Sequence, residues 1–515
     1  MFEGRTPMPV GTRRWAILTG LFACALALSL PSCRRGDDQR VLVVGFDGRP
    51  LSLDPHHKNE AVTWSVLANF YDGMVRFSPE MKLEPALAES WEQLDATRWR
   101  FRLRKDVRFQ RGEPLRAADV VASFERARSD PRSGIRHHLL GVTQMAALDE
   151  LTLIVETDGP RPTLLNRLAF LPVVTERDAK LPEITEPNGT GPYRLAGRES
   201  TDALLLEGWP GWRGMPAIRH VKFVFGTDNE ELFNRFLRGK IDVLRQVPED
   251  RLSELRDFTT VRVEPQPRLT IQMMALSPAN GETEGAKALS DVRVRRAILL
   301  ACDRQRWIDE VFRGHATVAS QYVHPVVFGY NMATAAQPHD VQQARELLEQ
   351  AGFPKGLDLV LDCAPGQAAL IPFLVGDLAK IGIRVTLRVF EWDELITRMR
   401  TGKSTLGVFA WQCSTGDASD FLMACVHSPS PALGLGLDNY AQFRDAAVDA
   451  LIEECERELD GARRLRLLRE AQTRVLEKLP YLPLTDRWVF LGVSNRVDVV
   501  IRHDQWLWVA AYRWR

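Results

Sequence analysis

Three glycine-containing segments are the places where this sequence could carry phosphate or nucleotide chemistry. Gly402-Lys403-Ser404 has the last three residues of a phosphate-binding loop, but Thr397 stands where that motif requires its first glycine. Gly189-Thr190-Gly191 begins like a dinucleotide-binding fingerprint, but position 194 is arginine, and Gly434-Leu435-Gly436 fails in the same way at position 439. Neither Gly-x-Ser-x-Gly nor His-Glu-x-x-His occurs. We therefore expect no enzyme and no cofactor.

Two pairs of adjacent histidines, His56-His57 and His137-His138, are the remaining candidates for metal chemistry. Adjacent side chains diverge in a strand and do not share a face of a helix, so neither pair can form a site without distant partners. We interpret both pairs as solvated loop histidines and expect no metal site.

Composition limits the classes of protein that remain. The chain has 515 residues, which predicts roughly three domains, and its 45% hydrophobic and 26% charged content is that of a globular protein. Lys plus Arg and Asp plus Glu both number 67. A nucleic-acid-binding protein normally has a basic excess, so we expect no nucleic-acid partner. The 13 tryptophans are many, and binding clefts use such rings.

The first 33 residues predict export and a lipid anchor. Three arginines precede an apolar run at 15–30, which is too short for a comfortable membrane span and ends in Leu30-Pro31-Ser32-Cys33. This end is similar to a bacterial lipobox, although Pro31 is unusual there. We expect a signal peptide at 1–32 and lipid on Cys33. An ordinary signal cleaved nearby and an uncleaved anchor are the alternatives.

Short aliphatic runs alternate with amphipathic segments through the rest of the chain. The pattern predicts helices at 340–351, 445–455 and 462–479, the first with Asp340 as N-cap. It predicts strands at 41–44, 151–156, 204–207, 221–225, 270–276, 357–362, 384–390 and 406–411. Strands separated by helices indicate layered α/β architecture.

Five cysteines remain after Cys33, an odd number. Cys413 and Cys425 are the closest pair in sequence, but buried free thiols are the default. The sequence leaves open whether these two form a disulfide.

Ordered sequence blocks identify a family. Leu53-Asp54-Pro55-His56, the segment 84–91 (EPALAESW) and above all 99–126 (WRFRLRKDVRFQRGEPLRAADVVASFER) resemble the family 5 extracellular solute-binding proteins. Further matches follow in the family's order at 188–193 (NGTGPY), 239–242 (GKID), 291–297 (DVRVRRA) and 344–353. These are the oligopeptide- and dipeptide-binding receptors of ABC importers, and the resemblance runs from about residue 41 to 490.

The resemblance implies the type II periplasmic-binding-protein fold, which has two lobes, a hinge and here an extra α/β domain. Lobe I would comprise 34–76, 188–268 and 491–515, the extra domain 77–187, and lobe III 269–490. The hinge would be the two crossings near 268–273 and 483–488, and the ligand would lie between lobes I and III.

The resemblance also implies the function. The protein would capture a peptide-like or other small solute by closing its lobes and deliver it to an ABC permease, acting as a lipid-anchored monomer on the extracytoplasmic face of a bacterial membrane. A sensor or chaperone that uses the same cleft without transport is the alternative, followed by a secreted hydrolase.

By resemblance, the ligand-facing positions lie in the loop 59–61, the strand 272–274, at Trp392 and in the stretch 411–420. The predicted binding residues are Asn59, Ala61, Gln272, Met274, Trp392, Trp411, Gln412, Ser414 and Asp417. We expect Trp392 and Trp411 to form an aromatic wall, with core packing as the alternative for Trp392.

One departure from the family concerns the charge that anchors the ligand. In peptide-binding relatives, a carboxylate three residues after the cleft tryptophan holds the ligand's α-ammonium, but here that position is Ser414. Either the ligand presents no ammonium there, or Asp417 takes over. The alternative is that Asp417 and Asp420 only cap the helix that starts near Phe421. We expect that unmodified tri- to pentapeptides are not the best ligands.

Overall fold

A computed structural model describes residues 40–279, 281, 283–367 and 369–515. The predicted signal peptide and Cys33 lie outside the described residues. The strands, numbered in chain order, are β1 (Val41–Phe46), β2 (Val75–Phe77), β3 (Leu83–Pro85), β4 (Ala88–Gln93), β5 (Arg98–Leu103), β6 (Val142–Ala147), β7 (Thr152–Thr157), β8 (Tyr193–Ser200), β9 (Ala203–Gly208), β10 (His220–Phe225), β11 (Val243–Leu244), β12 (Val261–Gln266), β13 (Thr270–Leu276), β14 (Ala316–Val318), β15 (Asp358–Cys363), β16 (Arg384–Val389), β17 (Leu406–Gln412), β18 (Tyr481–Arg487), β19 (Val489–Ser494), β20 (Val497–Asp498) and β21 (Arg513–Trp514).

The α-helices, numbered in the same way, are α1 (Ala61–Leu67), α2 (Ala117–Ser129), α3 (Leu164–Leu168), α4 (Asn229–Leu237), α5 (Glu284–Ala288), α6 (Val292–Ala301), α7 (Arg304–Glu310), α8 (Val341–Gln350), α9 (Ile371–Ala379), α10 (Trp392–Arg400), α11 (Ser419–Phe421), α12 (Ala446–Cys455) and α13 (Gly461–Lys478). A π-helical turn, Leu422–Val426, continues α11. Short 3₁₀ turns lie at Arg136–Leu139, Asp178–Lys180, Glu249–Asp257, Pro365–Gln367, Pro431–Leu433 and Val509–Ala511.

Two large mixed sheets carry most of the described chain. The first has the order β12-β19-β11-β1-β10-β9-β8, and the second has the order β14-β18-β13-β17-β15-β16. The chain passes from the first sheet to the second between β12 and β13 and returns between β18 and β19. These crossings fall at the predicted hinge segments, while the domain boundaries themselves stay a prediction.

A third, antiparallel sheet lies in the predicted extra domain, with the order β4-β5-β7-β6. Its inward residues Phe101 and Val155 belong to the same buried apolar cluster as Ile452 of α12 and Leu468 of α13. The extra domain therefore shares one hydrophobic core with helices α12 and α13. This shared core fixes the position of the cavity described below.

The segment Asn188–Tyr193 is locked against the end of α1 by close backbone packing. The carbonyl oxygen of Phe70 accepts hydrogen bonds from the Gly191 amide (2.9 Å) and from Nε2 of Gln110 (3.0 Å). A Cβ on Gly189 would lie 2.0 Å from that same oxygen, which no side chain can tolerate. The Asn-Gly-Thr-Gly block is therefore required by the fold.

Candidate functional site

A cavity of about 490 Å³ lies where the layers meet, within the size range of small-molecule sites. Its walls come from the beginning of α1, the 3₁₀ turn Arg136–Leu139 and α3 of the extra domain, the end of β17 with the segment that follows it, and residues near the C terminus. The lining residues are Asn59, Ala61, Trp64, Phe77, His137, His138, Leu140, Arg167, Phe170, Trp411, Gln412, Ser414, Thr415, Asp420, Met423, Ala424, Gly434, Leu437, Asp438, Asp504 and Trp506.

One wall of the cavity is aromatic. The rings of Trp64 and Trp506 are stacked, with centroids 5.3 Å apart and 6° between their planes. Phe170 meets both rings edge-on, at 5.5 Å and 6.0 Å. His138 stacks on the other side of Phe170, at 4.4 Å and 9°. Because ring faces supply contact area without requiring a specific donor, this wall suits the apolar or planar part of a ligand.

Trp506 has no regular secondary structure around it, and polar contacts hold it in place. A buried ion pair joins Arg502 to Asp504, and Oδ1 of Asp504 accepts a hydrogen bond from the Trp506 amide (3.0 Å). Gln505 has φ of +64°, a left-handed conformation that costs free energy in a residue with a side chain. On the next residue, the Leu507 amide donates to Oγ of Ser65 on α1 (2.7 Å). The C-terminal segment is thereby tied to the helix that carries Trp64.

The opposite part of the cavity is charged. Asp420 is half-buried, and its Oδ2 accepts a hydrogen bond from the Thr415 amide (3.2 Å). Burial raises the pKa of Asp420, and the positive charge of Arg167 acts against that rise. Arg167 donates to Oγ1 of Thr163 (3.2 Å) and to the carbonyl oxygen of His137 (3.4 Å), and no carboxylate of the described residues lies within ion-pair distance of it. An acid and a base thus line one small cavity without being paired to each other.

The other two cavity acids are already neutralised. Asp438 pairs with Arg400 (2.6 Å), and Asp504 pairs with Arg502 (2.5 Å). Asp420 is therefore the cavity carboxylate whose charge is available to a ligand.

Asp417 lies behind the cavity wall and does not line it. Its two carboxylate oxygens accept hydrogen bonds from Nη2 (2.9 Å) and Nη1 (2.5 Å) of Arg464, and both side chains are about 95% buried. Oδ1 also accepts from the Ser419 amide at the start of α11 (3.0 Å). Asp417 thus contacts an amide at the start of α11, although the N-cap itself is Ala418 and Asp420 lies within the helix, and the charge of Asp417 is held by Arg464.

Five of the predicted binding residues meet at the cavity: Asn59, Ala61, Trp411, Gln412 and Ser414. Asn59 is oriented by Trp64, whose Nε1 donates to its Oδ1 (2.5 Å). Its Nδ2 lies 3.4 Å from Nε2 of His137.

Gln272, Met274 and Trp392 are not brought to the cavity. Successive residues of β13 alternate between its two faces, and Met274 is fully buried in the core beneath the second sheet. Gln272 shares that face, and its Oε1 accepts from Oγ1 of Thr485 (3.1 Å). Trp392, the first residue of α10, is 47% exposed and does not line the cavity, so the alternative of a core residue is wrong for it. Trp411 lines the cavity, but its ring packs on Phe421 (6.2 Å) and not on the rings of the aromatic wall.

Sequence reasoning missed most of the aromatic wall and the basic group, namely Trp64, Phe170, Trp506 and Arg167. Asp420 lies at the end of the predicted ligand-facing stretch 411–420, but only helix capping was weighed as its role. Phe170 and Trp506 lie in irregular segments, where no periodicity indicates which way a side chain points. The interpretation of the histidine pairs as solvated loops was wrong for His56, His57 and His138, which are 0%, 6% and 6% exposed. Their neighbours in space, far away in sequence, enclose them.

Three further features of the described residues bear on function. All five cysteines are buried and free, so Cys413 and Cys425 form no disulfide. No group of three or more His, Cys, Asp or Glu side chains that could hold a metal ion occurs in this part of the chain. None of the helices in the same ranges has both the length and the apolar character that a membrane crossing needs.

Comparison with known proteins identifies what this architecture is similar to. Residues 82–431 match the family model of the bacterial extracellular solute-binding proteins, family 5 (middle). The glutathione-binding protein GsiB of Escherichia coli O1:K1 is 26% identical over 489 residues, which are 90% of this chain and 92% of the relative. Heme-binding protein A of Haemophilus influenzae is 26% identical over 491 residues, 87% of each chain.

A solved structure shows the same fold. The periplasmic binding protein DppA of Helicobacter pylori, in complex with the peptide STSA, superposes with a TM-score of 0.73 at 23% identity, over 92% of this chain and 98% of that one. The predicted periplasmic-binding-protein fold is thereby confirmed.

Proposed function

The chain belongs to family 5 of the bacterial extracellular solute-binding proteins, and from this premise we propose that it captures a small zwitterionic, peptide-like solute in the cavity and delivers it to the permease of an ABC importer. The family binds solutes and is not an enzyme family, and its members serve ABC importers for peptides and related solutes. What remains to be proposed is the class of solute and the manner of its capture.

The observation that carries the proposal is the unpaired acid and base in one cavity. Asp420 can accept the ammonium group of a solute, and Arg167 can donate to a carboxylate. A molecule that carries both an ammonium and a carboxylate group pairs with both residues, whereas a neutral or singly charged molecule leaves one half-buried charge without a partner.

The position of the acid argues for a solute that differs from an ordinary peptide. Ser414 replaces the family's anchoring carboxylate, and Asp417 is held by Arg464, so Asp420 supports the proposal in place of Asp417. The ammonium group of the solute would therefore be held by a residue that lies farther along the chain after β17 than the anchoring carboxylate of peptide-binding relatives. A γ-linked peptide such as glutathione, the ligand named for GsiB, is a suitable probe of this class.

Capture would involve closure of the two lobes about the crossings β12–β13 and β18–β19. The cavity takes residues from both sides of these crossings, so a solute contacts all of its walls only when the lobes are shut. We further propose that lipid on Cys33 holds the protein at the extracytoplasmic face of the membrane as a monomer.

Calorimetric titration of the mature protein tests the proposal, with glutathione, the dipeptide Met-Leu and heme as probes. We expect saturable 1:1 binding of glutathione and weaker binding of the others. Asp420→Asn should weaken glutathione binding at least about 30-fold, the equivalent of the ~2 kcal/mol lower limit for truncating a buried charge pair.

Asp438→Asn is the matched control, because Asp438 lines the same cavity but is already paired with Arg400. Equal losses in both variants would contradict the assignment of Asp420, and binding of heme alone would contradict the solute class. Small-angle scattering should give a smaller radius of gyration with glutathione than without it.

A further inference from the structure

His138 is a buried histidine whose ring nitrogens have no protein partner. It lies in the 3₁₀ turn Arg136–Leu139, is 6% exposed and lines the cavity. Its ring contacts the stacked Phe170 ring at 4.4 Å and the His137 ring at 3.9 Å. Among the described residues, neither nitrogen of His138 has a hydrogen-bond partner.

Other buried histidines of the chain are satisfied. Nε2 of His56 lies 2.9 Å from the carbonyl oxygen of Pro172, and Nδ1 of His427 lies 2.7 Å from that of Ser428. The His138 nitrogens have no such protein partner, and the residue lines the cavity, so these nitrogens are available to a ligand bound there.

The chemistry of the ring limits what this partner can be. Burial, together with the nearby His137 and Arg167, holds the pKa of His138 well below 6.5, so the imidazole is neutral at neutral pH. A neutral imidazole offers one N–H donor and one lone-pair acceptor. A carboxylate would favour the charged ring, which burial opposes, and an ammonium group uses only the acceptor.

A metal ion is a poorer match than a hydrogen-bonding group. Protein sites that hold transition metals are built from three or four His, Cys, Asp or Glu side chains, and no cluster of this kind exists in the described part of the chain. A purely apolar role, in which the His138 ring only stacks on Phe170, gives no reason for a side chain with two ring nitrogens at this position.

We infer that His138 is a specificity-determining residue that hydrogen-bonds an uncharged amide group of the solute, between the ends held by Asp420 and Arg167. The inference rests on the proposed function, which it extends from the two charged ends of the solute to its middle. It predicts that the protein distinguishes a peptide bond from an isosteric ester.

A cycle that combines protein variants with altered ligands tests this. His138→Phe keeps a ring that can stack on Phe170 but removes both nitrogens, and His138→Asn restores a donor and an acceptor. The probes are glutathione and two depsipeptide analogues, each with one of the two amide N–H groups replaced by an ester oxygen. The control is His315→Phe, because His315 packs on Phe490 at 4.6 Å and does not line the cavity.

We expect His138→Phe to weaken glutathione binding about tenfold, the effect of one hydrogen bond. With one of the two ester analogues the same substitution should change affinity less than about twofold, because the partner group is already gone. His138→Asn should recover most of the loss, and His315→Phe should bind like the wild type, with unfolding temperatures confirming that each variant is folded.

The alternative results are decisive. Wild-type affinity in His138→Phe, or the same loss with glutathione and both esters, overturns the role of His138 while the proposed function stands. If the wild type binds none of the peptide probes, the proposed function and this inference both fail. A His138-dependent change in the absorption spectrum of heme or of nickel bis-histidine, without glutathione binding, would show that the ring is a metal ligand instead.

Discussion

Replacing Asp417 should separate its structural role from a role in binding. In Asp417→Asn the side chain keeps one oxygen for the Ser419 amide, but the guanidinium of Arg464 loses its charged partner in a site where both side chains are about 95% buried. Removing one member of a buried ion pair costs ~3–5 kcal/mol. Glu456, whose Oε1 lies 3.6 Å from Nη2 of Arg464, supplies partial compensation. We therefore expect a loss of ~3 kcal/mol, at the lower end of that range.

Thermal unfolding and calorimetry measure the two roles independently. For a unit of about 200 residues, ~3 kcal/mol corresponds to a fall in unfolding temperature of roughly 6–12 °C. Binding of glutathione to the folded Asp417→Asn protein should remain within about threefold of the wild type, because Asp417 does not line the cavity. Asp420→Asn should show the reverse: an unchanged or higher unfolding temperature, because burial disfavours the charged form of Asp420, and a large loss of affinity.

The opposite pattern would refute this reasoning. An Asp417→Asn protein with unaltered unfolding and an affinity loss as large as that of Asp420→Asn would make Asp417 the anchor. Asp417→Glu offers an additional check, since it retains the charge but must fit one more methylene into a closed space. It should recover part of the stability and leave binding unchanged.

Burial raises the pKa of Asp486 to about 7, so between about pH 4 and pH 7 the unfolded chain releases a proton that the folded chain keeps. The contribution of Asp486 to the free energy of unfolding therefore falls as pH rises through that window and levels off above it. Asp486→Asn should flatten the plot of unfolding temperature against pH, and an unchanged slope would contradict the raised pKa of Asp486. Gly189→Ala should abolish soluble expression or lower the unfolding temperature sharply, because the new Cβ would lie 2.0 Å from the carbonyl oxygen of Phe70, whereas Gly366→Ala, whose Cβ meets no atom within 4 Å, should be tolerated. Cys33→Ser should release the protein from membranes, and retained partitioning into detergent would exclude the lipid anchor.

Local signals were sufficient to predict some of the regular elements. The strand predicted at 270–276 is β13 with the same bounds, and the N-cap predicted at Asp340 is observed, its Oδ1 accepting from the Gln343 amide (2.8 Å). Side-chain periodicity and capping chemistry act within a few residues, so a single sequence contains them. The fold could be predicted from the family resemblance because the matching sequence blocks are also short and contiguous.

The site could be predicted only in part. Asn59 and Trp411, which line the cavity, were predicted by resemblance, since they lie next to recognisable strands and blocks. Met274 was placed on the wrong face of β13, because alternation fixes which residues share a face but not which face meets a cavity. Trp506 could not be found at all, because its position depends on a buried ion pair and a left-handed residue in an irregular segment.

The order of strands in the first sheet dictates the order in which the molecule can be assembled. β1 lies between β10 and β11, and β19 lies between β11 and β12, so this sheet cannot be completed before residue 494 is available. The second sheet, by contrast, is built from the single stretch 270–487 and can form earlier during vectorial synthesis. Such distant pairings fold slowly and leave strand edges exposed in the meantime. Trp506 is synthesised after every strand of both sheets, so the cavity cannot be completed until both sheets can be.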